Sequence, residues 1–218
     1  MSLFPPPDQF SLFMIAALAI GAAPGPGMLY VVARSLGQGR MAAFISVLGL
    51  SAGSFINCLI AAFGLAALLA VSPLAFDMVR FVGAAYLAYL AIKIVRASGS
   101  FAPVAAGEKI AGWTIFAQAV LTNVMNPKSS MFYLAFMPHF TDPQRGSVLA
   151  QFIVLGLIFN IMGNTINMMV GLFFGHIGDW IATRPRFWVV QKWTTASILG
   201  ALALHLAFIL APSSASTF

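Results

Sequence analysis

The sequence predicts an all-α integral membrane protein of six transmembrane helices, arranged as two inverted three-helix repeats with helices one and four broken. Three observations carry this expectation. Hydrophobic residues make up 61% of the 218 and charged residues only 7%, with a mean hydropathy of +0.95. Soluble domains run near 25% charged, so a water-soluble globule is excluded. Six stretches reach the roughly 20 apolar residues that cross a bilayer core of about 30 Å. Short segments of the first half also recur in the second. The runs are apolar on all sides, which excludes the alternating polarity of a β-barrel strand.

The predicted spans are Phe10–Ala33, Met41–Ala70, Leu74–Val95, Trp113–Met137, Ser147–His176 and Val189–Ala211. They form one transmembrane domain over residues 1–218: a first repeat at 10–95, a linker at 96–112 and a second repeat at 113–211. Asp77 and Arg80 shorten the clean core of the third span. Ser98, Gly99, Ser100, Pro103 and Gly107 mark the linker as a connector. The segment before the first span carries Asp8 and three prolines but no basic residue, so it does not read as a cleaved signal peptide. Cys58 is the only cysteine, which excludes an intramolecular disulfide.

Charge supplies the orientation. One face receives Arg34, Arg40, Lys93, Arg96, Lys109, Arg184, Arg186 and Lys192; the other receives Arg80 and Arg145. The basic face belongs in the cytoplasm, which puts both termini in the periplasm. The formal charge of +6 is therefore ascribed to loops against the lipid bilayer, and no nucleic-acid partner is expected.

Pro24-Gly25-Pro26-Gly27-Met28-Leu29-Tyr30-Val31 lies over Pro127-Lys128-Ser129-Ser130-Met131-Phe132-Tyr133-Leu134. At nearly the same offset Val47-Leu48-Gly49-Leu50 matches Val154-Leu155-Gly156-Leu157, and Asn57 pairs with Asn164. Three spans per half is an odd number, so the halves enter the membrane with opposite sense, as in many secondary transporters. Pro24-Gly25-Pro26-Gly27 and Asn126-Pro127 interrupt equivalent helices. Unwound backbone at membrane depth survives only against protein or a water-lined cavity. Packing kinks are the plainer alternative for either break alone; paired breaks point to a binding site.

Lys128 falls inside span four, where an ammonium costs about 2.5–3.5 kcal/mol to insert. No acidic residue lies at that depth in any span. Snorkelling to the interface is one reading; the other is a clamp for a substrate carboxylate, shared with N–H groups freed by the nearest break. Asn160, Asn164 and Asn167 share one helix face, joined in the cavity reading by Asn123, Asn126, Ser54 and Asn57. Interhelical hydrogen bonding is the alternative for each amide taken singly. Tyr30 and Tyr133 offer hydroxyls or ring faces, against simple core packing. His205 and Lys128 are the candidate proton carriers. Gly49 with Gly53 and Gly171 with Gly175 read as close-packing pairs. No metal site, cofactor or catalytic residue is expected: the spans lack HExxH, paired carboxylates or a Ser/His dyad.

Pro24-Gly25-Pro26, the loop Ser35-Leu36-Gly37-Gln38-Gly39-Arg40, Gly83-Ala84-Ala85-Tyr86-Leu87-Ala88-Tyr89-Leu90, Asn126-Pro127-Lys128 and Met137-Pro138-His139-Phe140 stand in order along the chain. Together they resemble the LysE/RhtB family of bacterial amino-acid exporters, nearly end to end, though Ala91 and Gly27 depart from the family's usual residues. The resemblance implies a proton-driven exporter of amino acids in the inner membrane. The absence of a carboxylate at depth favours neutral substrates, threonine-, homoserine- or leucine-like, over basic ones. An exporter of basic amino acids or of a metal cation, a membrane-embedded enzyme and a structural or sensory subunit are the alternatives. Monomer and homodimer both stay open. The expected substrate-binding set is Pro24, Gly25, Pro26, Gly27, Tyr30, Asn57, Asn126, Pro127, Lys128, Tyr133, Asn160 and Asn164.

Overall fold

Prolines set the helix starts. In the computed structural model α1 (Pro7–Ala22), α2 (Pro26–Gln38) and α5 (Pro127–Met131) each carry proline in the first turn, where its missing N–H costs nothing. Proline also sets where the preceding helices stop. Ala23 and Asn126 are extended, as residues before proline tend to be. These two stops end α1 and α4 (Gly112–Val124). Helix α2 closes on Gly39, whose φ of 82° favours glycine, and α3 (Arg40–Val71) follows at once. Past α5 the helix widens into a π turn over Phe132–Phe136 and tightens into a 3-10 turn over Met137–Phe140. Pro138 lacks the N–H that an α turn would give to Leu134, and the irregular winding absorbs that loss. A short 3-10 turn at Pro143–Arg145 leads into α6 (Val148–Ala182).

The structure describes residues 3–71 and 109–182, with single positions between 78 and 96 and between 189 and 204. Among the described residues all regular structure is helical. Among the described residues two helices are long and apolar enough to cross a membrane, at Arg40–Leu65 and Val148–Phe173, and the pair α1 and α2, bent by 48°, counts as a third where the two are taken as one span. The break predicted in span one is that bend, and the break predicted in span four falls between α4 and α5. Most of the predicted third and sixth spans and of the linker lies outside the described residues. Asp77, Arg80 and His205 lie outside them as well.

Helix α3 packs along α4 and α6, α2 lies against α3 and α6, and α1 against α6. Glycines permit the closest of these contacts. A methyl group on Gly49 would sit 2.5 Å from the Phe116 carbonyl oxygen, and one on Gly53 2.6 Å from that of Val120. Gly171 is likewise pressed on Val31 and Ala43. An aromatic cluster fills the space between α1, the π turn and α6. Phe132 stacks on Phe159 with centroids 3.9 Å apart, and Phe13 meets Phe140 edge-on at 5.4 Å. Ala91 and Ala203 join the same core. Ile60, Phe63, Leu121 and Ile161 are exposed on the outside, as side chains facing hydrocarbon should be.

Candidate functional site

Pro24 has no N–H to give the carbonyl of Ile20, so the last turn of α1 keeps an unpaired acceptor. The chain then turns away at Ala23 and frees a second one. Lys128 takes both: its Nζ donates to Ile20 O at 2.9 Å and to Ala23 O at 2.7 Å. The negative end of the α1 dipole thus meets the ammonium. Gly25 makes room for it, since a Cβ there would lie 3.4 Å from Nζ. The partners of the Lys128 ammonium are therefore backbone carbonyls rather than a carboxylate.

The second break is capped from its own sequence. Asn126 Oδ1 accepts from the Lys128 backbone N–H at 3.0 Å, an N-cap. Ser130 Oγ donates to Asn126 O at 3.1 Å, which occupies a carbonyl at the break. The two breaks are built alike, an extended residue followed by proline in the first turn; in structural terms the counterpart of Pro127 is Pro26 more than Pro24.

Between them lies a cavity of about 40 Å³. Gly27 and Met28 at the start of α2 line it, with Ser54 of α3, Asn123 of α4, Asn126, Lys128 and Ser129 at the second break, and Asn160, Asn164 and Asn167 on α6. The predicted amide stripe forms one wall. Asn160 is fixed by exchange with Ser51: its Nδ2 donates to Ser51 O at 3.0 Å and its Oδ1 accepts from Ser51 Oγ at 3.1 Å. Asn164 Nδ2 donates to Asn160 O at 2.9 Å and also to Asn160 Oδ1. Asn123 donates to Leu50 O at 2.5 Å, while its own Oδ1 is buried with no donor. Among the described residues the wall contains a cation, amides and two residues of the first turn of α2, whose N–H groups have no acceptor within the helix, and no carboxylate.

The profile of the family described as LysE type translocator matches residues 18–211. The chain belongs to the LysE family of translocators. Among curated LysE-type relatives, a leucine efflux protein of Salmonella choleraesuis is 31% identical over 151 residues, 69% of this chain and 71% of that protein. A homoserine/homoserine lactone efflux protein of Salmonella typhimurium is 32% identical over 145 residues, 66% of this chain and 70% of that one. An uncharacterized membrane protein of Vibrio cholerae is 32% identical over the same length. No solved structure matches the chain.

Around this cavity the predicted residues divide. Gly27, Asn126, Lys128, Asn160 and Asn164 line the cavity; Pro24, Gly25, Pro26 and Pro127 shape the breaks around it. Tyr30, Asn57 and Tyr133 do not line it. Tyr30 OH donates to Ile115 O at 3.0 Å and to Gln118 Oε1 at 3.1 Å, tying α2 to α4. Asn57 Nδ2 donates to Asn123 O at 3.0 Å, an interhelical bond. Tyr133 is fully buried, its hydroxyl 2.8 Å from Ser54 Oγ, which puts it behind the wall. Met28 and Ser129 line the cavity as well and were absent from the expectation.

Proposed function

We propose that this chain is a secondary active exporter that moves neutral amino acids, leucine-, threonine- or homoserine-like, out across the bacterial inner membrane. The observation that carries the reading is Lys128, whose ammonium bridges the end of α1 and borders a polar cavity beside the start of α2. A substrate carboxylate is received by the remaining N–H of that ammonium and by the Gly27 and Met28 N–H groups, at the positive end of the α2 dipole. The amides of α4 and α6 meet the other pole of the zwitterion. The names of the leucine and homoserine efflux relatives support the substrate class.

Alternating access is the proposed cycle, and size supports it. A cavity of about 40 Å³ holds a few waters and no amino acid, so a transport cycle requires α1–α2 to part from α4–α6. Proton exchange is the proposed drive. Lys128 is the titratable side chain in the described wall; protonated, it holds the end of α1, and loss of its proton removes the charge that the dipole attracts. The basic-face asymmetry supports periplasmic termini.

Counterflow of labelled leucine in proteoliposomes tests the reading. Lys128→Met, at normal membrane abundance, is expected to lose tenfold to hundredfold in apparent affinity, about the worth of a hydrogen bond to a charged group. Wild-type counterflow in that variant overturns the assigned role. Lysine competing better than leucine overturns the preference for neutral substrates.

A further inference from the structure

We infer that the side-chain oxygen of Asn123 accepts the substrate's α-ammonium group, and so is what separates amino acids from hydroxy and des-amino acids; this rests on the proposed reading of the cavity as an amino-acid site. Asn123 is 7% exposed and lines the cavity. Its amide cannot be turned over, because Nδ2 is committed to Leu50 O at 2.5 Å. That contact fixes Oδ1, a buried acceptor with no donor.

Of the side-chain acceptors lining the cavity, which also include those of Asn164, Asn167 and Ser129, Asn123 Oδ1 is the one that is fully buried without a partner; several of the others are engaged. Asn126 Oδ1 holds the Lys128 N–H, and Asn160 Oδ1 accepts from Ser51 and Asn164. Ser54 Oγ is paired with the Tyr133 hydroxyl. The carbonyls of Ile20 and Ala23, which would otherwise attract a substrate cation to the end of α1, are held by Lys128. Asn123 Oδ1 has almost no accessible surface in this state, so a zwitterion whose carboxylate lies at Lys128 and the α2 start reaches this acceptor as the helices part to admit it. The same oxygen repels a carboxylate, so it also sets which way round the substrate sits. A site built around such an acceptor discriminates most strongly against the des-amino acid, which leaves the buried oxygen unpaired, and less strongly against a hydroxy acid, whose α-hydroxyl gives a neutral hydrogen bond in place of a charge-assisted one.

The test is competition against labelled leucine counterflow by unlabelled leucine, 2-hydroxyisocaproate and 4-methylpentanoate, which share a side chain and carboxylate and differ at the α position. Wild-type protein is expected to prefer leucine to either acid by at least about tenfold. In Asn123→Ala the leucine affinity falls about tenfold to hundredfold, 2-hydroxyisocaproate falls less and 4-methylpentanoate, which has no α donor, is unchanged, so the preference for leucine over the des-amino acid collapses toward unity. The ratio is internal to each sample, so reduced insertion does not move it. Asn123→Thr, which keeps an oxygen, is expected to fall between the two and serves where the alanine variant does not assemble. Leucine counterflow with the wild-type preference intact in Asn123→Ala overturns this inference alone. Equal competition by the two acids in the wild type overturns it without any variant. An absence of wild-type leucine counterflow overturns the exporter reading, and this inference with it.

Discussion

Lys128 and Gly25 form one device: the ammonium reaches the end of α1 because no side chain stands in its way. Since Gly25 is extended, with φ −161°, its backbone tolerates any residue, and only space decides. Gly25→Ala should transport nearly as wild type, because its methyl would make ordinary contact at 3.4 Å with Nζ. Gly25→Leu should displace the ammonium and lose leucine counterflow as Lys128→Met does; equal activity of the two glycine variants would contradict the device. Asn57→Ala should lower stability by roughly 0.6–1.7 kcal/mol, the range for interhelical hydrogen bonds in membranes. The leucine-to-hydroxy-acid preference should stay put, measurable on the same protein by thermal unfolding and competition. Lys128 was legible in the sequence because a charge at depth is costly wherever it points. Asn57, Tyr30 and Tyr133 were not: an amide or hydroxyl in a span has the same letters whether it faces a cavity or a neighbouring helix carbonyl. The partner, which the sequence does not record, decides.

At the level of helices, the breaks were legible for a reason specific to proline. Its missing N–H acts locally, so Pro24 and Asn126-Pro127 announce where a helix stops without reference to the rest of the fold. The π and 3-10 winding after α5 was not legible, because it depends on how the aromatic cluster takes up the irregularity around Pro138. The glycine pair on α3 was read correctly as packing from spacing alone, yet spacing did not name α4 as its partner. Gly49→Ala places a methyl 2.5 Å from a backbone oxygen and should force α3 off α4, costing about 1–3 kcal/mol as overpacking does. Gly64→Ala, on the same helix with nothing within 4 Å, is the control. Thermal unfolding in detergent should separate the two; identical midpoints would argue against a close α3–α4 approach.

Across the whole molecule, α2 is tied down at several points away from the cavity. Ser35 Oγ donates to Gly171 O at 2.5 Å and Gln38 Nε2 to Ile110 O at 2.8 Å, beside the Tyr30 bonds to α4. Joining Gln38→Cys to Ile110→Cys with a short reducible cross-linker should arrest counterflow, and reductant should restore it; full activity while cross-linked would mean that α2 need not part from the start of α4. A last consequence concerns biogenesis. The acceptors for Lys128 lie 108 and 105 residues upstream of it. During synthesis the first half is already in the membrane, its two carbonyls waiting, before the ribosome delivers the charge that neutralises them. A C-terminal segment made alone would carry the ammonium without the two carbonyls that hold it in the full chain.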